Sequence, residues 1–310
     1  MKIKKTVLHL NHYDLDCVAC ALALNGTFDS VHMIPTGYGK LPAIIKNIET
    51  HITKRKYDEF YITDLNLSKK QYDYCKAVAN KHGVNITYID HHESGIEEMH
   101  SPKENRFVFI EQSAGLLTKN YLEAKYGVDL SYLNSFIKLS NDYDLWIHKY
   151  PESKALNFIY DLYRPYKMIK RFANGLDEFT KKEKLEIIKR FNEIEEAWEK
   201  LEILDDDTYK ISAIFTKGRL INEMADKTLK LDNIDIVIVF TNDKSISVRC
   251  NLDEIAVGST LELIGGGGHR HAGGVEFIKR PEDKDDGILF NINRIKKVFT
   301  ESYNFLGIVF

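Results

Sequence analysis

Eight positions in this sequence carry side chains that could do chemistry together: His12, Asp14, Asp16, Asp64, Asp90, His91, His92 and an acid of Asp142-Tyr143-Asp144. The densest group is Tyr88-Ile89-Asp90-His91-His92. Ile86, Tyr88 and Ile89 read as the end of a buried strand. The acid and two imidazoles that follow are poor core residues and good metal ligands, hard oxygen and borderline nitrogen on one fixed piece of backbone. His12-x-Asp14-x-Asp16 sends its side chains to one side of an extended or turn segment. One imidazole with two carboxylates suits Mn²⁺, Mg²⁺ or Zn²⁺. Asp64, in Tyr61-Ile62-Thr63-Asp64-Leu65, is a ligand or a cap, and Asp142-x-Asp144-Leu145-Trp146 is a helix end that supplies an acid or only a turn and a Trp anchor.

Each stretch alone has a bland reading as a polar loop, cap or turn. Together they have a physical logic. Five acids and three histidines at one sheet edge would repel one another and be costly to desolvate without cations. Two divalent ions about 3.5–4 Å apart, bridged by one Asp and one water, would neutralise them, lower the water's pKa to make a hydroxide nucleophile, and clamp phosphoryl oxygens. The predicted chemistry is hydrolysis of a phosphoester or phosphoanhydride. Gly265–Gly268 followed by His269 adds a stretch whose backbone N–H groups can approach an anion, with a flexible linker as the alternative. Arg249, on the strand before it, is a candidate phosphate partner or a surface Arg. Cys17-Val18-Ala19-Cys20 has redox or zinc spacing but lies in an apolar helix without a second pair, which favours packing.

The elements that must position these residues alternate. Strands are predicted at Thr6–Leu10, Ser30–Pro35, Glu59–Thr63 and Ile86–Ile89, with helices over residues 15–24, Ala43–Thr50, and from a Ser68 cap to about His82, ended by Gly83. Alternating strands and helices make a parallel sheet with right-handed crossovers, and sites in such sheets form beyond the carboxyl ends of the strands. Asp14 and Asp16 follow the first strand, Asp64 the third and Asp90 the fourth. From Ser113, a predicted cap, the pattern turns helical, and a charged helix over about 178–204 carries one apolar stripe. Strands at Tyr209–Thr216, Ile234–Thr241 and Ser245–Cys250 begin a second unit, which ends in a helix near Asn291–Tyr303 and an apolar tail, Phe305–Phe310, predicted as a packed strand. The expectation is an α/β protein of two domains. Residues 1–177 form a parallel-sheet domain with helices on both faces, 178–204 a connecting helix, and 205–310 a smaller mixed α/β domain.

At 310 residues the chain accommodates two cores, and 44% hydrophobic with 29% charged residues is the balance of a soluble globular protein. No run approaches the roughly 18 apolar residues of a membrane span, and the start, Met1-Lys2-Ile3-Lys4-Lys5, lacks signal-peptide character. Four scattered cysteines argue for a reducing, cytoplasmic setting. A net charge of −3 disfavours a long duplex as partner and favours a short or small phosphate-containing ligand.

HYDLD (12–16), ITDL (62–65), DHH (90–92), YDLW (143–146) and GGGGH (265–269) occur in the order seen in DHH phosphoesterases with the DHH-associated C-terminal domain. The resemblance spans residues 6 to about 278. It is nearest to NrnB-type oligoribonucleases (nano-RNases), within a group that includes NrnA-type enzymes and RecJ nucleases. His12 two positions before Asp14, rather than four, fits the NrnB branch; Cys17 stands where that branch has Gly, and the chain ends without that branch's longer tail.

The resemblance implies two Mn²⁺ ions, with Mg²⁺ or Co²⁺ as substitutes. One would be held by His12, Asp14 and a bridging Asp64, the other by Asp16, Asp64, His91 and Asp144, with Asp142 as the alternative fourth-motif acid. Asp90 would orient His91, and His92 would contact the scissile phosphate or assist the leaving group. Arg249, Gly267, Gly268 and His269 would bind the substrate's terminal phosphate or nucleotide across an interdomain cleft. The implied activity is release of nucleoside monophosphates from short RNA or DNA oligonucleotides. Alternatives are hydrolysis of a small nucleotide, such as phosphoadenosine phosphate or a dinucleotide derived from cyclic-di-AMP, and a non-catalytic nucleotide sensor. A homodimer is implied at family level only.

Overall fold

β1 (Ile3–Asn11) runs inside a five-stranded sheet. After it come α1 (Leu15–Thr27), β2 (Phe28–Pro35), α2 (Leu41–Lys46), α3 (Ile48–Thr53), β3 (Glu59–Thr63), α4 (Lys69–Lys81), β4 (Asn85–Asp90), the short α5 (Ile96–Met99) and β5 (Arg106–Val108). The computed structural model describes residues 2–92, 96–199, 201, 203–204, 211–231, 234–241, 245–268, 270–278 and 288–305. The chain divides into two units, Met1–Ile187 and Ile188–Phe310.

In the first unit every strand pairing is parallel, in the order β2-β1-β3-β4-β5. The strands alternate their side chains between two cores. Leu8, Leu10, Phe60, Ile62, Ile86 and Tyr88 pack with the residues of α2–α4, while Val7 and Tyr61 pack with those of α1. Both faces are therefore covered, which is why the strands read as apolar runs. The order reverses at β1 and β3, so the crossovers diverge there and open a crevice at the carboxyl ends of those two strands.

α1 is buried almost all round because α6 (Ala114–Tyr126), α7 (Asn134–Asp144) and α8 (Pro151–Arg171) pack against it. Its small residues permit close approach. A Cβ on Gly115 of α6 would stand 2.4 Å from the Ala19 Cβ and 2.7 Å from Asp16 Oδ1. Gly115→Ala should therefore destabilise the protein by about 1–3 kcal/mol through overpacking. That is a Tm loss of several degrees by calorimetry, and an unchanged Tm would refute the close packing. Cys17 and Cys20 are free and fully buried, as the packing reading expects.

α8 is broken at Arg164, φ 59°, immediately before Pro165. Pro cannot continue the hydrogen-bond ladder. The predicted Ala43–Thr50 helix is instead α2 and α3, parted at Asn47. β5 escaped sequence reading because three residues are too few to show an alternation. Ser68 caps α4 in a capping box with Gln71. Ser113 precedes α6 as expected, but its side chain makes no cap bond and is used elsewhere.

α9 (Lys181–Glu199) contains the division between the units. The second unit has β6 (Ile203–Leu204), β7 (Ile211–Phe215), α10 (Ile221–Thr228), β8 (Ile236–Phe240), β9 (Ser245–Cys250), α11 (Val257–Glu262), β10 (Gly267–Gly268), β11 (Ala272–Glu276) and α12 (Ile288–Phe305). Its sheet runs β10-β11-β9-β8-β7-β6, parallel only between β7 and β8, which α10 connects. Ile236, Ile238, Ile246 and Val248 meet Ile295 and Phe299 in its core. The glycine-rich 265–274 stretch, read from sequence as a loop, supplies β10 and β11, where tertiary pairing overrides low strand propensity. The predicted C-terminal strand at Phe305–Phe310 lies outside the described residues, apart from Phe305 at the end of α12. Among the described residues no helix is long and apolar enough to cross a membrane.

Candidate metal centre

The ends of β1, β3 and β4 are neighbours in register, so the residues after them converge at one edge of the sheet. Asp14 ends the extended stretch after β1 and caps α1, its Oδ1 accepting from the Cys17 N–H at 2.9 Å. Its Oδ2 meets His12 Nδ1 at 2.5 Å. Asp64 follows β3 with φ 56°, the left-handed region that Asp tolerates better than most residues. Strain of this kind concentrates at functional positions. His91 and His92 follow β4.

Ligand atoms of His12, Asp14 and Asp64 lie within 4.8 Å of one another, and so do those of Asp64, His91 and His92. Asp64 belongs to both groups. Its Oδ1 is 3.3 Å from His91 Nε2, its Oδ2 is 3.9 Å from His12 Nδ1, and Asp144 Oδ2 is 3.3 Å from His91 Nε2. Asp142, the alternative, is turned away: its carboxylate accepts from the Lys149 N–H (2.9 Å) and the Tyr150 N–H (3.2 Å), closing the loop after α7. Asp144 is the fourth-motif acid that reaches the cluster.

The electrostatics are those of too many anions in too little water. Burial, then the carboxylates of Asp14, Asp16, Asp144 and Asp90, push Asp64 well above the usual carboxylate range. Asp144 is raised by burial and by Asp16 and Asp14 to about 8, against the opposing pull of His91. Burial also raises Asp16. Against its own burial, Asp14 is held low by His12, and against theirs, His12 and His91 are raised by the surrounding acids. Asp64 Oδ2 and Asp144 Oδ2 are buried without a hydrogen-bond partner among the described residues. Buried carboxylate oxygens lacking donors, beside imidazole nitrogens, fit Mn²⁺, Mg²⁺ or Zn²⁺.

Asp16, 1% exposed, lies deeper. Ser113 Oγ (2.7 Å) and Ser140 Oγ (3.2 Å) donate to its Oδ1, and the Gly115 N–H (2.8 Å) to its Oδ2. This is where the Ser113 hydroxyl goes instead of capping α6. Three of about four acceptor sites on the carboxylate are thus taken, leaving roughly one for a cation.

The expected role of Asp90 needs correction. Its Oδ1 binds Nδ1 of His92 at 2.7 Å and its Oδ2 accepts from the Tyr88 hydroxyl at 2.9 Å, so Asp90 orients His92 rather than His91. Successive side chains at a strand end point to opposite faces, and only the i, i+2 pair shares one. Sequence reading also missed Tyr38. Its hydroxyl lies 3.0 Å from His92 Nε2 and its ring 5.3 Å from that of His12, centroid to centroid. Burial and the carboxylates of Asp90 and Asp64 push its phenol far up, so it stays protonated. The only signal was its place between Gly37 and Gly39 in the turn after β2.

In the second unit the Arg249 guanidinium bonds Asn222 Oδ1 (2.7 Å) and the carbonyls of Val248 (2.9 Å) and Gly273 (3.4 Å). Gly267 and Gly268 form β10, and His269 lies outside the described residues. Gly268 has φ +149°, and a Cβ there would meet the Ala272 carbonyl oxygen at 2.3 Å, so hairpin packing by itself requires glycine at this position.

No family model matches the chain. An alignment 152 positions long, covering 45% of this chain and 43% of the relative, is 28% identical to a 3′,5′-cyclic-nucleotide phosphodiesterase of Helicobacter pylori. The chain thus spans less than half the length of this curated relative. Among solved structures, a pGpG-specific phosphodiesterase, PggH, from Vibrio cholerae aligns with TM-score 0.53 at 12% identity, over 96% of this chain and 99% of that one. An exopolyphosphatase-related protein from Bacteroides fragilis aligns with TM-score 0.52 at 14% identity, over 97% and 92%. The chain shares their fold. Both alignments run through the two α/β units.

Proposed function

We propose that the chain is a DHH-type phosphoesterase that hydrolyses phosphodiester bonds of short oligonucleotides, releasing nucleoside monophosphates, with two divalent cations, Mn²⁺ first among them. The observation that carries this is Asp64, common to two potential ligand groups at the carboxyl edge of a parallel sheet, with one oxygen buried and unpartnered among the described residues. When bound, divalent cations in such a cluster make a water acidic enough to attack and offset charge on phosphoryl oxygens. His12, Asp14 and Asp64 would hold one cation, and Asp64, His91, Asp144 and the remaining acceptor site of Asp16 would hold the other. His92, held through Nδ1 by Asp90, presents Nε2 towards the phosphoryl group.

The Helicobacter relative supports a nucleotide phosphodiester as substrate class and favours a second reading, hydrolysis of a 3′,5′-cyclic nucleotide. One panel separates these readings: with Mn²⁺, the purified protein meets a linear dinucleotide, five-nucleotide RNA, single-stranded DNA, a 3′,5′-cyclic nucleotide, phosphoadenosine phosphate and pyrophosphate, with products resolved by chromatography. The expected result is monophosphate from the dinucleotide and short RNA, fastest at the shortest lengths. Turnover of the cyclic nucleotide alone moves the assignment to the second reading. No product from any phosphodiester ends both.

A further inference from the structure

The imidazole of His92 is held from both ends. Nδ1 meets the fully buried Asp90 carboxylate at 2.7 Å, and Nε2 meets the Tyr38 hydroxyl at 3.0 Å. An ionised carboxylate only accepts, so Nδ1 is the donor towards Asp90, and the Tyr38 hydroxyl is the hydrogen-bond partner of Nε2. Its own oxygen accepts from the Asn66 N–H at 3.3 Å, two residues beyond Asp64. The chain of bonds thus runs from the segment that carries Asp64, through Tyr38 and His92, to Asp90 and Tyr88.

His92 also belongs to the ligand group of Asp64 and His91. With Nδ1 committed to Asp90, Nε2 has two competing uses, as a cation ligand or as the partner of Tyr38. We infer that Tyr38 is a positioning residue whose hydroxyl holds His92 Nε2 towards substrate and out of the cation ligand set. The phenol ring itself packs at 5.3 Å from His12 and edge-on at 6.3 Å from His92. Phenylalanine would keep those ring contacts and remove only the hydroxyl, with its bonds to His92 Nε2 and the Asn66 N–H, which makes it the informative substitution. The kinetic part of this inference rests on the phosphodiesterase reading; the structural part does not.

The test compares wild type, Tyr38→Phe, His92→Gln and the double variant, all as full-length protein with Tm checked. Tyr38→Phe should lower kcat about tenfold, the scale of one lost hydrogen bond, with KM within about twofold. By calorimetric titration with Mn²⁺ it should bind the cation severalfold more tightly, since Nε2 is released to ligate. In the His92→Gln background, Tyr38→Phe should leave cation affinity where it was. In Mg²⁺-loaded protein labelled with ¹⁵N-histidine, the His92 Nε2 resonance should shift in Tyr38→Phe. Unchanged cation affinity and an unmoved Nε2 resonance, or the same affinity change with His92 already replaced, would overturn the inference. If wild type turns over no substrate, the phosphodiesterase reading fails, and the titration and resonance arms still decide the role of Tyr38.

Discussion

Asp64→Asn should yield a folded protein whose phosphodiester hydrolysis is slower by roughly 10³-fold or more, the scale seen when a group acting directly on the reacting centre is removed. Asp64 is the one residue present in both potential ligand groups, so its neutralisation would weaken both proposed cation positions together. His12 belongs to one of the two ligand groups and Asp144 meets the cluster through His91, and their loss should cost less. Asparagine keeps the shape, and the left-handed backbone at φ 56° suits Asn as well as Asp. The fold should therefore survive, and Tm in EDTA should rise, because a buried carboxylate crowded by Asp14, Asp16 and Asp144 is removed. Rates from pre-steady-state assays, Mn²⁺ titration and Tm measure the three effects. Wild-type turnover by Asp64→Asn would remove Asp64 from the mechanism.

In EDTA the Tm should fall as pH rises through the neutral range, and saturating Mn²⁺ should abolish most of that fall. Asp144 is raised from an ordinary 3.8 to about 8 by burial and by Asp16 and Asp14, with His91 opposing. Between those values the folded state keeps a proton that the unfolded chain has released, so raising pH removes stability across that window. Asp64 and Asp16, also raised, act with the same sign. His12 and His91, raised above their ordinary 6.5, lose their stabilising contribution as pH climbs past their folded values, which adds to the fall. Asp14 and Asp90 are held low, so their contribution disappears only in acid below the window. A cation replaces the protons with a better counter-charge, and at a hundredfold excess over its Kd adds about 2.7 kcal/mol. Calorimetric Tm values at about pH 5 and about pH 8, with and without Mn²⁺, check this. A Tm in EDTA that rises over that interval would contradict the charge arrangement.

The sequence by itself determined the framework of the first unit and the edge on which chemistry could occur. Alternating apolar runs and capped helices are local signals, read within a dozen residues, and Ser68 and Gly83 bound their helix where expected. A parallel sheet has its crevices at the carboxyl ends of its strands, so acids at the ends of β1, β3 and β4 were already placed. Which side chain meets which was decided only by the tertiary structure. Asp142 and Asp144 differ by two positions on one helix turn, yet one closes a loop against Lys149 and Tyr150 and the other reaches His91. Ser113 had the sequence of a cap and serves Asp16, 97 residues away. Asp90 holds His92 rather than His91, and Tyr38 meets His92 across 54 residues. Spacing along the chain fixes which face a residue occupies. It carries no record of the partner that folding brings to that face, because the contact is made by elements whose separation in sequence is far longer than any periodicity.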